Sequence, residues 1–178
     1  MNKNIQFELK NRLQSGRADE VLQALEDLAM EGDVECLPVV IDLLHDSVDE
    51  QIVGQIGSLL GQLKQQEAVP HLMAAVGDDR LHDIREELLT ACWENGLSYV
   101  DYIGLLVDIM ISSDFMTAFE VHTLITNMWG KISREQRMSE ESKIDAALLS
   151  INAEKGNLLE EVKDYLYALE EGVEPQEI

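Results

Sequence analysis

The chain has 178 residues, 46% hydrophobic but only 5% aromatic, and its 35 acidic and 13 basic residues give a formal net charge of −22. That charge repels a phosphate backbone, whose binding needs clustered Lys and Arg, and it repels an anionic bilayer surface for the same reason. Nucleic acid and membrane are therefore set aside as partners, and a basic protein or peptide is favoured by complementary potential, although an acidic surface also serves plain solubility.

No segment alternates at period two, and no Asn-Gly or Asp-Gly hairpin signal joins two apolar runs, so the chain reads as all-α. A leading helix over 3–14 carries Ile5, Leu9 and Leu13 at helical spacing. Helix pairs follow over 18–31 with 34–45, 48–64 with 67–77, and 81–95 with 99–112. A further first helix covers 114–129, and two terminal helices at 134–153 and 157–170 precede a short acidic tail at 172–178. Gly16, Gly32, Gly77, Gly96, Gly130, Gly156 and Gly172 each follow a helical pattern and are expected just past helix ends. Ser47 with Glu50, and Ser133 with Gln136, match the capping-box pattern; Asp33 and Ser98 are expected to cap the helices after them.

The chain also echoes itself. Leu37-Pro38-Val39-Val40-Ile41-Asp42 lies over Val69-Pro70-His71-Leu72-Met73-Ala74 at an offset of 32 residues. At that offset Ile52, Ile56, Leu59, Leu60 and Leu63 match Ile84, Leu88, Ala91, Cys92 and Asn95, and at an offset of 65 they match Thr117, Val121, Leu124, Ile125 and Met128. Spacings of three and four place each set on one helix face. One helix cannot hide such a face alone; stacked neighbours of the same kind do, which is the physical logic of a solenoid. Gly54, Gly57 and Gly61 gather on one side of the 48–64 helix. Interior glycine costs about 0.5–1 kcal/mol relative to alanine, so the cluster predicts a close approach by a neighbouring helix.

Ile56-Gly57-Ser58-Leu59-Leu60-Gly61-Gln62-Leu63, followed by Glu67-Ala68-Val69-Pro70-His71-Leu72-Met73-Ala74-Ala75-Val76-Gly77-Asp78-Asp79, resembles a HEAT repeat of the short bacterial type. That family favours a Leu-Gly element at the end of the first helix, an Ala-Val-Pro start to the second, and an Asp after it. Asp78 or Asp79 followed by Arg85 resembles the family's pairing of a turn Asp with an Arg of the next helix, which implies a structural role for Arg85. The resemblance is convincing over 49–96, lacks the Leu-Gly element over 18–46, and degenerates over 99–129, where Tyr102-Ile103 replaces the apolar-Pro dipeptide. It stops at 131. It implies a single right-handed α-solenoid over 1–171, HEAT- or armadillo-like, built of stacked antiparallel helix pairs. Residues 1–16 would cap it, 18–46, 48–78 and 81–112 would form repeats, and 114–171 a degenerate repeat with terminal capping helices.

The enzymatic branches of that superfamily are not carried over. His45, His71, His82 and His122 precede Asp46, Leu72, Asp83 and Thr123, not the Glu of iron-binding His-Glu dipeptides. The basic clamp of the base-excising members is missing from this acidic chain, and no residue supports bilin attachment. No phosphate loop, Gly-x-Ser-x-Gly elbow or Cys/His nucleophile signature occurs, so no catalytic residue is assigned. Asp78-Asp79-Arg80-Leu81-His82-Asp83 collects three carboxylates and an imidazole. Its place in a turn, without calcium-loop spacing, favours helix capping, and no metal or cofactor is assigned.

Cys36 and Cys92 lie on apolar faces without motif spacing, as free thiols of a reducing compartment do. No apolar run follows Met1-Asn2-Lys3-Asn4-Ile5, and the Val100–Ile111 stretch is broken by Asp101, Gly104 and Asp108, so the expected location is the cytoplasm. Trp93 and Trp129 read as core or capping anchors in preference to interface hot spots. If second helices line the inner face of a solenoid, Glu35, Asp42, Asp46, Glu67, His71 and Asp78 form an acidic ladder that turns apolar at Val107 and Ile111. Such a groove suits a basic amphipathic segment. The expected function is a non-enzymatic scaffold for a basic protein or peptide, in concrete form an antidote or chaperone. An enzyme acting on a cationic substrate, or a structural subunit of a larger assembly, stays open beside it.

Overall fold

The computed structural model describes residues 3–31 and 33–175; the expected helix-end glycine Gly32 and residues 176–178 of the expected tail lie outside them. Among the described residues the chain forms ten α-helices. They are α1 (Lys3–Leu13), α2 (Ala18–Glu31), α3 (Leu37–Asp46), α4 (Glu50–Gly61), α5 (Val69–Val76), α6 (Arg85–Asn95), α7 (Ile103–Ser112), α8 (Phe115–Asn127), α9 (Arg134–Leu148) and α10 (Ala153–Glu171). Short 3-10 turns at Val34–Cys36, Gln66–Ala68, Asp79–Ile84 and Val100–Tyr102 lead into α3, α5, α6 and α7. An isolated bridge between Gly130 and Val173 is the sole β contact among the described residues, so the all-α reading holds. No helix of theirs is long and apolar enough to cross a membrane.

The chain divides into two compact units, Met1–Asn95 and Gly96–Ile178, and the boundary falls inside the expected 81–112 pair. In the first unit α1 packs on α2 and α3, α3 on α4 and α5, and α5 on α6, while α2 packs on α4 and α4 on α6. The odd-numbered helices thus form one row and the even-numbered helices a second. The repeated stripe explains the even row. Ile52, Ile56, Leu59 and Leu60 are buried on α4, as are Ile84 just before α6 and Leu88, Ala91 and Cys92 on it. Pro38 and Pro70 stand in the first turns of α3 and α5, where a missing N–H leaves no hydrogen bond unmade.

In the second unit α7 packs on α8 and α9, and α10 packs on the same two helices. Thr117, Val121, Leu124, Ile125 and Met128 are buried, as the stripe requires. The segment after α8 is held from several sides. Tyr165 donates its hydroxyl to the Met128 carbonyl at 2.9 Å, Ser98 Oγ donates to the Trp129 carbonyl at 2.7 Å, and Trp129 Nε1 donates to the Gly96 carbonyl at 2.9 Å. Gly130 takes φ 128°, and a Cβ there would fall 3.0 Å from both Ser98 Oγ and Val100 Cγ1, so both backbone and space require glycine.

Several local expectations are corrected. The capping box at Ser47 does not form: Asp49 caps α4, its Oδ1 accepting from Gln51 N at 2.9 Å and Ile52 N at 3.3 Å, while Ser47 closes α3. A full negative charge at the positive end of the helix outcompetes a hydroxyl two residues earlier. The Ser133–Gln136 box does form, and Asp33 caps the turn ahead of α3. Tyr99, not Ser98, precedes the Val100–Tyr102 turn. Gly77 keeps a right-handed φ of −82°, and Gly156 lies inside α10, which starts early because Asn152 accepts from Lys155 N at 3.0 Å. The close approach expected at Gly54 and Gly57 is absent: a Cβ on either meets nothing within 4 Å, and only at Gly61 does it meet a neighbour, Glu94 Oε2 at 2.6 Å.

Candidate functional site: an acidic cleft in the first unit

The first unit contains an open cleft of about 460 Å³. Leu13 of α1, Val21 of α2, Val39 and Leu43 of α3, and Ile52 of α4 line it with apolar surface, and Asp42, Asp46 and Asp49 add carboxylates. Val39, Asp42, Leu43 and Asp46 recur at helical spacing, so one face of α3 supplies both kinds of lining. Gly16 and Ala18, at the α1–α2 turn, also line the cleft.

The carboxylates differ in what they have left to give. Asp49 is engaged in capping α4. Asp42 and Asp46 are exposed, and no hydrogen bond or ion pair holds either among the described residues. Elsewhere in the unit the arginines are already committed. Arg12 pairs with Asp27 at 2.6 Å and, helped by Gln23, holds that carboxyl below its ordinary pKa. Arg17 pairs with Asp19 and Glu20, and Arg80 pairs with Asp78. The Arg80 guanidinium is raised first by Asp78 and only last by the charge of Asp42. The α3 face is therefore locally anionic beside an apolar floor.

Of the eight expected binding residues, the cleft brings together Asp42 and Asp46. Glu35 and Glu67 are exposed in the turns before α3 and α5, and His71 and Asp78 are half-buried. Val107 is a correction. It is fully buried, because Ile103, Leu106, Ile109 and Met110 make α7 apolar round most of its circumference and α8 and α9 cover it. Ile111 is half-buried, and its carbonyl accepts from Lys155 Nζ at 2.8 Å. Trp93 is exposed, against the expected core or capping role, whereas Trp129 is half-buried and bonds a helix-end carbonyl. The floor residues Leu13, Val21, Val39, Leu43 and Ile52 were not singled out as binding positions. The alternation of Val39 and Leu43 with Asp42 and Asp46 on one helix face is a signal for those two apolar residues alone; Leu13, Val21 and Ile52 come from other helices.

The Asp78–Asp83 cluster disperses into capping. The Arg80 side chain and then the Arg80 amide, which donates to Asp78 Oδ1 at 3.0 Å, lower the Asp78 pKa to about 2. Arg85 donates to the Val76 carbonyl at 2.9 Å and pairs with Asp79 at 3.1 Å, the turn-to-helix pairing expected of it. Asp83 faces His45 Nδ1 at 3.1 Å. Each carboxylate thus has its own partner, and no group of three His, Cys, Asp or Glu among the described residues is placed to hold a metal ion. Neither Cys36 nor Cys92 is in a disulfide and both are buried, and burial pushes the Cys36 thiol up. No protein-family model matches the chain, and no curated protein matches it either.

Proposed function

We propose that the protein is a non-enzymatic binding protein whose first unit receives a basic amphipathic segment of a partner protein. The observation that carries this reading is the pairing, on one face of α3, of two exposed carboxylates that no hydrogen bond or ion pair holds among the described residues with two apolar side chains above a buried apolar floor. Four residues of α-helix separate Asp42 from Asp46, about 6 Å along the axis, a spacing met by Lys or Arg on successive turns of a partner helix. An exposed ion pair contributes at most about 1 kcal/mol. An apolar anchor seated on Val39 and Leu43, above the buried Leu13, Val21 and Ile52, would supply most of the affinity, and the carboxylates would supply encounter rate and selectivity. Glu35 and Glu67 widen the acidic surface toward the turns, and His71 and the Arg80-paired Asp78 border it. Masking a basic protein such as a toxin or nuclease, as a cytoplasmic antidote or chaperone does, is the concrete form of this activity.

The two rows of the first unit support a HEAT-like reading, in which α2, α4 and α6 are first helices and α3 and α5 second helices of a right-handed solenoid. Stacked repeats of that kind offer extended binding surfaces.

The test uses the full chain and a fluorescent 18-residue Leu/Lys amphipathic peptide, read by anisotropy. Asp42→Lys/Asp46→Lys is expected to weaken binding by about tenfold or more and to flatten its salt dependence. Equal affinity and an equal salt slope in the variant would overturn the assignment.

A further inference from the structure

All three phenylalanines of the chain lie at its surface: Phe7 is 69% exposed, Phe115 40% and Phe119 43%. Phenylalanine belongs among the residues most often buried, and here aliphatic side chains fill the interior instead. Two of the three are neighbours on α8, with Met116 beside them at 54% exposure. Aromatic residues and methionine are the types enriched at protein interfaces.

The patch is ordered before anything binds. The Phe115 and Phe119 rings stack at 6.4 Å between centroids, and Phe119 stacks on His122 at 6.3 Å. His122 Nε2 is tied to Glu161 of α10 at 2.8 Å. Side chains already held in place lose little conformational freedom on binding, so more of their contact energy appears as affinity.

The surroundings select the partner's charge. α8 contains no Lys or Arg, and Glu120 is its charged residue. The helix packed beside it, α10, exposes Glu160, Glu161 and Asp164. The two lysines of α10 are committed elsewhere, Lys155 to the carbonyls of Ile111 and Ser113, and Lys163 to Asp145. A second copy of a chain with net charge −22 is repelled from such a face.

We propose that the outer face of α8 is a second docking surface, separate from the cleft of the first unit, for a cationic partner segment. An aliphatic or aromatic anchor of that segment seats on Phe115, Met116 and Phe119, and its Lys or Arg side chains meet the ring faces and the α10 carboxylates. This assignment does not depend on the cleft.

The experiment is made in an Asp42→Asn/Asp46→Asn background, which removes the two cleft carboxylates not engaged in capping and keeps the two readings apart. The labelled Leu/Lys peptide is titrated onto this full-length protein, onto the same protein with Phe115→Ser/Phe119→Ser, and a second peptide with every Leu replaced by Ser serves as a charge-matched probe. Circular dichroism melting checks that the surface changes leave the fold intact. The expected result is a loss of about tenfold in affinity on removing the rings, and a similar loss with the Ser-containing peptide. Equal binding by the ring-deleted protein would overturn the proposal, and so would equal binding of the two peptides. Sedimentation velocity supplies the remaining outcome. A dimer that Phe115→Ser/Phe119→Ser dissolves would show that a second copy covers the face, contrary to the proposal.

Discussion

The side-chain amide of Asn95 donates to the main-chain carbonyl of Leu60 across 3.3 Å, inside the packing of α6 on α4. Asn95 occupies the place that Leu63 holds one stripe earlier, so a polar residue replaces an apolar one at a buried position and is satisfied by the end of the neighbouring helix. Replacing it with Ala removes both the bond and the packing. Asn95→Ala is expected to lower the unfolding free energy by about 1–2 kcal/mol, read from the urea midpoint at unchanged slope.

The glycines of α4 and the glycine after α8 answer opposite demands. A methyl at Gly54 enters open space, so Gly54→Ala is expected to stabilise the protein by about 0.5–1 kcal/mol through backbone entropy and helix propensity. Gly130→Ala places a Cβ against Ser98 and Val100 at positive φ and is expected to destabilise by about 2 kcal/mol or more. Thermal melts of the two variants should move in opposite directions.

Lys155 is almost fully buried in the first turn of α10 and donates to the carbonyls of Ile111 and Ser113 at the end of α7. Its burial lowers the pKa of the ammonium, and Asp114 partly restores it. Lys155→Met keeps the length of the side chain but leaves those carbonyls without their donor. A loss of about 1.5–3 kcal/mol is expected in chemical denaturation.

Asp78 gives a pH-dependent signature. Its folded pKa of about 2 lies below the unfolded carboxylate value of about 4. The unfolded chain therefore binds the proton more readily, and the stabilisation from Asp78 is complete above the unfolded value and is lost as pH falls toward the folded one. The stability difference between wild type and Asp78→Asn should stay constant from pH 7 to about 5 and shrink as the pH falls from about 4 to 2. A difference that persists at pH 2 would contradict the assignment of Arg80 and the Arg80 amide as the cause.

The stripe was readable because it is a property of single helices. Ile56, Leu60, Leu88, Cys92, Val121 and Ile125 are each buried to completion, and their spacing alone places them on one face. What covers a face depends on neighbours that spacing does not name. Val107 was expected outward by analogy with α3, yet α7 is covered by both α8 and α9. Gly54 and Gly57 were expected against a helix and meet none. The Ser47–Asp49 competition failed for a related reason, because two capping signals overlap within three residues and the stronger acceptor decides. At the site, Asp42 and Asp46 were legible as acidic residues on one helix face. The apolar floor was not, because Leu13, Val21 and Ile52 come from three other helices that only the folded chain brings to α3.

The central claim is that Asp42 and Asp46 steer a cationic segment onto an apolar floor. Stopped-flow association of the Leu/Lys peptide over a range of salt concentrations tests it most directly, comparing wild type with Asp42→Asn/Asp46→Asn. The account predicts a wild-type rate constant that falls steeply with added salt, and a variant that is slower at low salt and converges on wild type at high salt. Identical rates for the two proteins at every salt concentration would contradict it.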